Sequence, residues 1–262
     1  MTTTAETHTT EHVEVMGARV EFLKNGTGDP VFVFHHSIGS SGWMPFHGML
    51  AAEFETYLPD LPGWGKSERP LWMRSVHDLA HTLNVMLEQL NLDSVSLVGL
   101  GIGGWLAAEM ATVDPRRIKK MVLVGAPGIQ PEEGEILDQM LIAFDEYVLV
   151  GFHDESKFDE IFTPNPSDET RALWDYSREM TARIAWKPWM FSRSLPPLLT
   201  AVRVPTLLVW GSHDRVVPVS TGQLYERALQ NARLEIVQDC GHLVDMEQPQ
   251  RLAELVTEHL RG

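Results

Sequence analysis

Apolar residues fall in short continuous runs, each closed by turn residues: VFVFHH at 31–36, SVSLVGL at 94–100, KMVLVGA at 120–126, TLLVWGS at 206–212 and LEIVQDCG at 234–241. Continuous rather than alternating hydrophobicity is the pattern of strands buried on both faces. Between the runs, apolar residues recur at helical spacing over residues 77–90, 104–113 and 249–260. Strands alternating with helices predict an α/β fold: a mostly parallel sheet flanked by helices. The segment VEVMGARVEFLKNGTGD reads instead as an antiparallel hairpin leading in, and the polar MTTTAETHTTEH ahead of it reads as a frayed tail.

Residues 127–197 break the rhythm. They carry an acidic opening (PEEGEILDQM), a turn-rich TPNPSDET and an aromatic AWKPWMF, with no convincing strand. The expectation is a core domain of residues 1–126 and 198–262, with 127–197 inserted as a helical cap over the strand ends. Open α/β sheets bind their ligands there.

Composition narrows the partners. The 262 residues are 44% hydrophobic and 22% charged, as in ordinary globular proteins. Asp and Glu outnumber Lys and Arg by 36 to 21, so phosphate backbones and anionic membrane surfaces are repelled. A small-molecule substrate is expected, with neither nucleic acid nor membrane as a partner; a homo-oligomer stays open. The start of the chain has neither a basic cluster nor an apolar segment, and MLIAFDEYVLVGF is too short and too interrupted by Asp145 and Glu146 to span a bilayer. The lone Cys240 can form no internal disulfide. Together these features predict a cytoplasmic protein.

VGLGIGGW at 98–105 admits two readings. Gly99, Gly101 and Gly104 fit the dinucleotide pattern G-x-G-x-x-G, whereas Gly99, Gly101 and Gly103 fit the nucleophile elbow G-x-S-x-G with glycine in the serine place. A dinucleotide site needs an acidic residue at the end of the next strand, but that strand ends Val124-Gly125-Ala126-Pro127.

From about residue 12 onward the chain resembles the α/β-hydrolase superfamily. HHSIGSSGW at 35–43 is similar to its oxyanion loop, PDLPGWGKSERP at 59–70 to its Asp-x-x-Gly-x-Gly-x-Ser segment, WGSHDRVVP at 210–218 to its acid loop and DCGHLVDMEQP at 239–249 to its histidine loop. The resemblance implies that Asp214 is the catalytic acid, His242 the base and Gly101 the occupant of the nucleophile position. It implies oxyanion donors on the backbone of Ile102 and of His36 or Ser37. It also implies that Trp43, Trp105, Trp186, Trp189 and Phe191 surround an aromatic-lined pocket, and that no cofactor is required.

Glycine removes the attacking atom and leaves the His–Asp dyad, so three functions stay open. One is an esterase-like hydrolase in which His242 activates water against a small apolar ester, lactone or carbonyl compound. A second is a lyase, isomerase or cofactor-free oxygenase in which His242 removes a substrate proton. The third is an inactive serine hydrolase, decayed or engineered, or a ligand-binding pseudoenzyme. Ser37 and Cys240 are the alternative nucleophiles. Arg178, Arg183 and Lys187 read as solvated helix faces. His35, His36, His213 and His242 lack metal-ligand spacing, so no metal is expected.

Overall fold

A computed structural model describes residues 8–262. Eight strands form one sheet: β1 (Thr9–Val15), β2 (Ala18–Asn25), β3 (Pro30–Phe34), β4 (Glu55–Pro59), β5 (Val95–Leu100), β6 (Ile118–Val124), β7 (Thr206–Gly211) and β8 (Ala232–Val237), in the order β1-β2-β4-β3-β5-β6-β7-β8. β2 pairs antiparallel with β1 and β4, and every other pairing is parallel. The helices are α1 (Pro45–Ala51), α2 (Val76–Gln89), α3 (Ile102–Val113), α4 (Phe144–Val150), α5 (Ser156–Phe162), α6 (Asp168–Ala185), α7 (Leu195–Leu199), α8 (Val219–Ala228), α9 (Val244–Glu247) and α10 (Pro249–Arg261). This is the α/β architecture expected from the alternation of apolar runs and helical stretches.

Double-sided burial explains why those runs are continuous. Phe32, Phe34, Leu97, Met121, Leu123 and Leu208 face a core shared with α2, α3 and α8. Their chain neighbours Val31, Val33, Val98, Val122, Val124, Leu207 and Val209 face a second core shared with α1 and α10. A side chain of either parity is therefore removed from water, and each such burial contributes about 1.5–3 kcal/mol. α10, polar on its outer face, inserts Leu252, Leu255, Val256 and Leu260 into this second core.

Two expectations need correction. Residues Thr9 to His12, read as part of a frayed tail, belong to β1, where they pair with Lys24 to Glu21. Their side chains are exposed because β1 is an edge strand, so the backbone ladder forms without an apolar signature. The first seven residues of that tail lie outside the described residues. β4, ETYLP, is absent from the apolar runs of the sequence; five residues with a polar start give too short a pattern, although the strand sits between β2 and β3.

Between β6 and β7 the chain forms α4 to α7, with one isolated bridge, Gly128 to Phe191, as its extended pairing. α6 starts at Ser167, whose side chain accepts the Thr170 N–H. It buries Trp174, Ser177, Met180, Thr181 and Ile184. Among the described residues no helix is long and apolar enough to cross a membrane.

Candidate active site

The chemistry-bearing loops all leave the carboxyl ends of parallel strands. His35, His36 and Ser37 follow β3, Gly101 follows β5, Asp214 follows β7 and the loop with His242 follows β8. Parallel pairing of β3, β5, β6, β7 and β8 therefore brings together residues from the two ends of the chain, up to 209 positions apart.

Gly101 turns the chain from β5 into α3 with φ 53° and ψ −120°, a conformation that side chains resist. Its amide donates to Val124 O at 2.8 Å, which anchors the turn on β6. A Cβ at this position would lie 2.7 Å from His36 Nδ1 and 3.2 Å from His242 Nε2. Gly103 has a different reason to be glycine, since a Cβ there would lie 2.4 Å from Phe34 O, so α3 packs directly on β3. The glycines thus serve a tight turn and close helix–sheet contact, and no phosphate cradle is needed to explain them.

The Asp214 side chain is fully buried and uses both oxygens. Oδ1 accepts from the amides of Val216 at 2.9 Å and Val217 at 2.8 Å, while Oδ2 accepts from His242 Nδ1–H at 2.8 Å. The Asx turn and the dyad therefore coexist in one carboxylate, and the loop hydrogen bonds fix the oxygen that orients the imidazole. With Nδ1 donating, His242 Nε2 carries a lone pair and borders the position of the missing Cβ at Gly101.

The His242 loop is held from both sides. Gly241 N–H donates to Glu247 Oε2 at 2.7 Å, and the same carboxylate accepts from the amides of His153 and Asp154. Leu243 N–H donates to Gly151 O at 3.0 Å. The His242 loop is thus tied to the segment after α4.

The oxyanion-loop residues take different parts. His35 is consumed structurally: Nδ1–H donates to His36 O at 2.7 Å and Nε2 accepts from Leu61 N–H at 3.1 Å, while burial brings its imidazole down to about 4. His36 Nε2–H donates to Asp245 Oδ1 at 2.8 Å. Burial alone would raise the Asp245 carboxyl, but His36 and, at longer range, His47 hold it below the usual range. Burial also brings His47 down to about 4, with Asp245 opposing. Ser37 Oγ lies 3.1 Å from Tyr147 Oη. Burial pushes the Tyr147 hydroxyl up to about 12, so it stays protonated at neutral pH. Ile102 opens α3, where first-turn amides lack a carbonyl within the helix. Burial likewise pushes the Cys240 thiol up, which keeps it from acting as a nucleophile.

A cavity of about 10 Å³ touches His36, Ser37, Ile38, Tyr147, His242 and Leu243, among others. That volume holds about one water molecule. A larger pocket of about 450 Å³ lies between the loop at residues 38–44, the β2–β4 edge and helices α5 and α6, and it includes neither His36 nor His242. Chemistry and room are thus separated, and Ile38 lines both.

The aromatic expectation needs correction, because Trp43, Trp105, Trp186, Trp189 and Phe191 line neither space. Trp105 is buried and donates to Glu109 Oε1, Trp43 packs on His8 and His47, and Trp189 donates to Leu137 O. Trp186 is 46% exposed against Trp189, and Phe191 bridges to Gly128. The Phe, Tyr and Trp side chains that do line the two spaces are Phe22, Tyr147, Phe162 and Trp174. Tyr147, Asp245 and Glu247 carried no sequence signal as site residues beyond the position of Glu247 in the histidine-loop frame. Of the cations in the insertion, Arg178 lies over the Phe144 ring and Arg183 donates to Leu71 O. His213 sits with His153 and Asp239 in an exposed group whose ligand atoms lie within 4.8 Å of one another, a grouping that spacing along the chain did not suggest.

These features define an α/β hydrolase. The alpha/beta hydrolase fold family model matches residues 30–249, and the chain belongs to that family. It is 28% identical to a 2-hydroxy-6-oxononadienedioate/2-hydroxy-6-oxononatrienedioate hydrolase of Paraburkholderia phymatum, with 98% of each chain covered. It is 29% identical to the protein of the same name from Escherichia coli, covering 92% of this chain and 91% of the relative. Among solved structures it superposes with TM-score 0.80 on a serine hydrolase involved in carbazole degradation, at 23% identity over 97% of this chain and 99% of the other. A meta-cleavage product hydrolase superposes with TM-score 0.78 at 22% identity, over 96% and 97% of the two chains. The two structural likenesses speak to the fold.

Proposed function

We propose that this chain is a hydrolase in which the His242–Asp214 dyad activates water directly against the carbonyl of a small apolar ester, lactone or ketone, with Gly101 standing at the nucleophile position. The observation that carries the reading is the unbranched backbone at Gly101 beside a correctly oriented base: His242 Nε2 lies 3.2 Å from where a Cβ would be, and Asp214 holds its other nitrogen. The names of the relatives support hydrolysis, since their stated substrate carries a 6-oxo group.

In this mechanism His242 removes a proton from water as its oxygen attacks the carbonyl carbon. The backbone amides of Ile102 and of His36 or Ser37 hold the developing oxyanion, often the largest single catalytic contribution. The protonated His242 then returns its proton to the leaving group. Residues 127–197 act as a cap, and movement of Ile38 joins the 450 Å³ pocket, which holds the apolar body of the substrate, to the one-water cavity.

The test is turnover of activated short-chain esters and of 2-hydroxy-6-oxononadienedioate by the protein and by His242→Ala. General-base catalysis is worth about 10² to 10⁴-fold, and a rate loss of that size is expected. Undiminished turnover in His242→Ala would overturn the reading.

A further inference from the structure

We propose that His36 and Asp245 form a second histidine–carboxylate dyad facing His242 and Asp214, so that two imidazoles hold the hydrolytic water where a serine side chain would stand. The proposal rests on the water-activating function argued above and assigns His36 a catalytic part that its place in an oxyanion loop does not imply.

Geometry carries it. His36 and Asp245, 209 positions apart, meet at 2.8 Å with their side chains 3% and 2% exposed. A carboxylate only accepts, so Nε2 carries a proton, and in the neutral ring Nδ1 then keeps its lone pair. That Nδ1 is fully buried and has no hydrogen-bond partner among the described residues. It lies 2.7 Å from the Cβ position at Gly101, the same point that His242 Nε2 borders at 3.2 Å. The two rings are 5.2 Å apart at 60°, and both line the cavity of about 10 Å³. His35 pairs both of its ring nitrogens, whereas His36 leaves Nδ1 unpaired and His47 leaves Nε2 unpaired; of these two unpaired nitrogens, it is that of His36 that borders the Gly101 Cβ position. The unpaired nitrogen thus belongs to a residue that, like His242, lines the one-water cavity.

The groups facing His36 sort cleanly. Asp245 on α9 takes its Nε2–H, His47 on α1 stands behind Asp245, His35 precedes it in the loop, and His242 with Asp214 stands opposite. A water between the rings donates one O–H to each nitrogen, which leaves its oxygen lone pairs directed at the substrate. As the O–C bond to the carbonyl forms, His242 Nε2 takes one proton and the carbonyl π pair moves to oxygen. When the tetrahedral species collapses, the bond to the leaving group breaks and that group takes the proton from His242. The remaining O–H proton of the new carboxylic acid passes to His36 Nδ1 and then to solvent, so the product departs as a carboxylate. The ligand class is a carbonyl compound whose cleavage yields an acid.

The decisive variant is His36→Gln, whose amide nitrogen still reaches Asp245 while nothing stands at the Nδ1 position. With p-nitrophenyl acetate and 2-hydroxy-6-oxononadienedioate as probes, kcat is expected to fall about 10²-fold, the size of effect that misplacing a reacting group causes, with Tm close to the parent. Asp245→Asn keeps the acceptor and removes the charge, and a smaller fall is expected. In His36→Gln/His242→Ala the two losses should not multiply, because the residues act on one water. If His242→Ala abolishes turnover while His36→Gln leaves kcat unchanged, the second dyad is overturned and the water-activating function stands. If His242→Ala leaves turnover intact, both fall. The imidazole ¹⁵N spectrum of the folded protein decides independently of any probe: an unprotonated His36 Nδ1 at neutral pH supports the proposal, and a protonated one overturns it.

Discussion

Gly101→Ala is expected to destabilise the fold by about 2–6 kcal/mol. One part is backbone strain of about 1–3 kcal/mol, because φ 53° with ψ −120° disfavours any side chain. The other part is overpacking, typically about 1–3 kcal/mol, because the new methyl meets His36 Nδ1 at 2.7 Å and His242 Nε2 at 3.2 Å. The two parts separate in a double-mutant cycle with His36→Ala. That second change is itself destabilising, since it leaves Asp245 without its ring partner, but its cost and the backbone strain both cancel in the cycle. A coupling of about 1–3 kcal/mol is expected, the alanine methyl being tolerated better once His36 is gone. Urea denaturation of the four proteins measures it. A coupling near zero would mean that His36 does not fill the place of the missing side chain.

A second large effect is loss of stability in acid. His35 and His47 are buried and titrate at about 4 in the folded protein, against about 6.5 when unfolded. Between these values the unfolded chain binds more protons than the folded one, so stability falls as pH falls from 6.5 toward 4. Each histidine contributes about 3 kcal/mol over that interval, because a tenfold change in proton affinity is worth about 1.4 kcal/mol. Above 6.5 both rings are neutral in either state and the full stability is present. Asp245, held below the usual carboxylate range, works in the same direction at lower pH, whereas Asp60, pushed up by burial, works against it. Urea midpoints at pH 7 and pH 5 are the measurement, and a flat profile would contradict the buried neutral assignment.

Much of the fold was legible in the sequence because double-sided burial writes itself as uninterrupted apolar runs. Val31 to Phe34 and Met121 to Val124 alternate between two cores, so every position is apolar. The hairpin of β1 and β2 was legible from Val13 onward, but the start of β1 was not: an edge strand is held by its backbone ladder, and Thr9 to His12 look like a tail. The His242–Asp214 pair followed from the order of its loops. The pairing of His36 with Asp245 did not, because Asp245 lies inside the histidine loop without a motif of its own and meets His36 only through the sheet. The tryptophans near the site in sequence face other packing, since spacing alone does not say which side of a loop a ring will occupy. Tyr147 and Trp174, which do line the two spaces, come from helices of the insertion whose docking no local pattern announces.

The central claim is that water, not a side chain, attacks the carbonyl. Acid-quenched intact mass of the protein, taken during the first turnovers of p-nitrophenyl acetate, tests it most directly. The account predicts an unmodified mass at every time point while p-nitrophenol accumulates without a burst. An added acetyl group that forms and decays at the rate of turnover would contradict it and place a covalent nucleophile in the site.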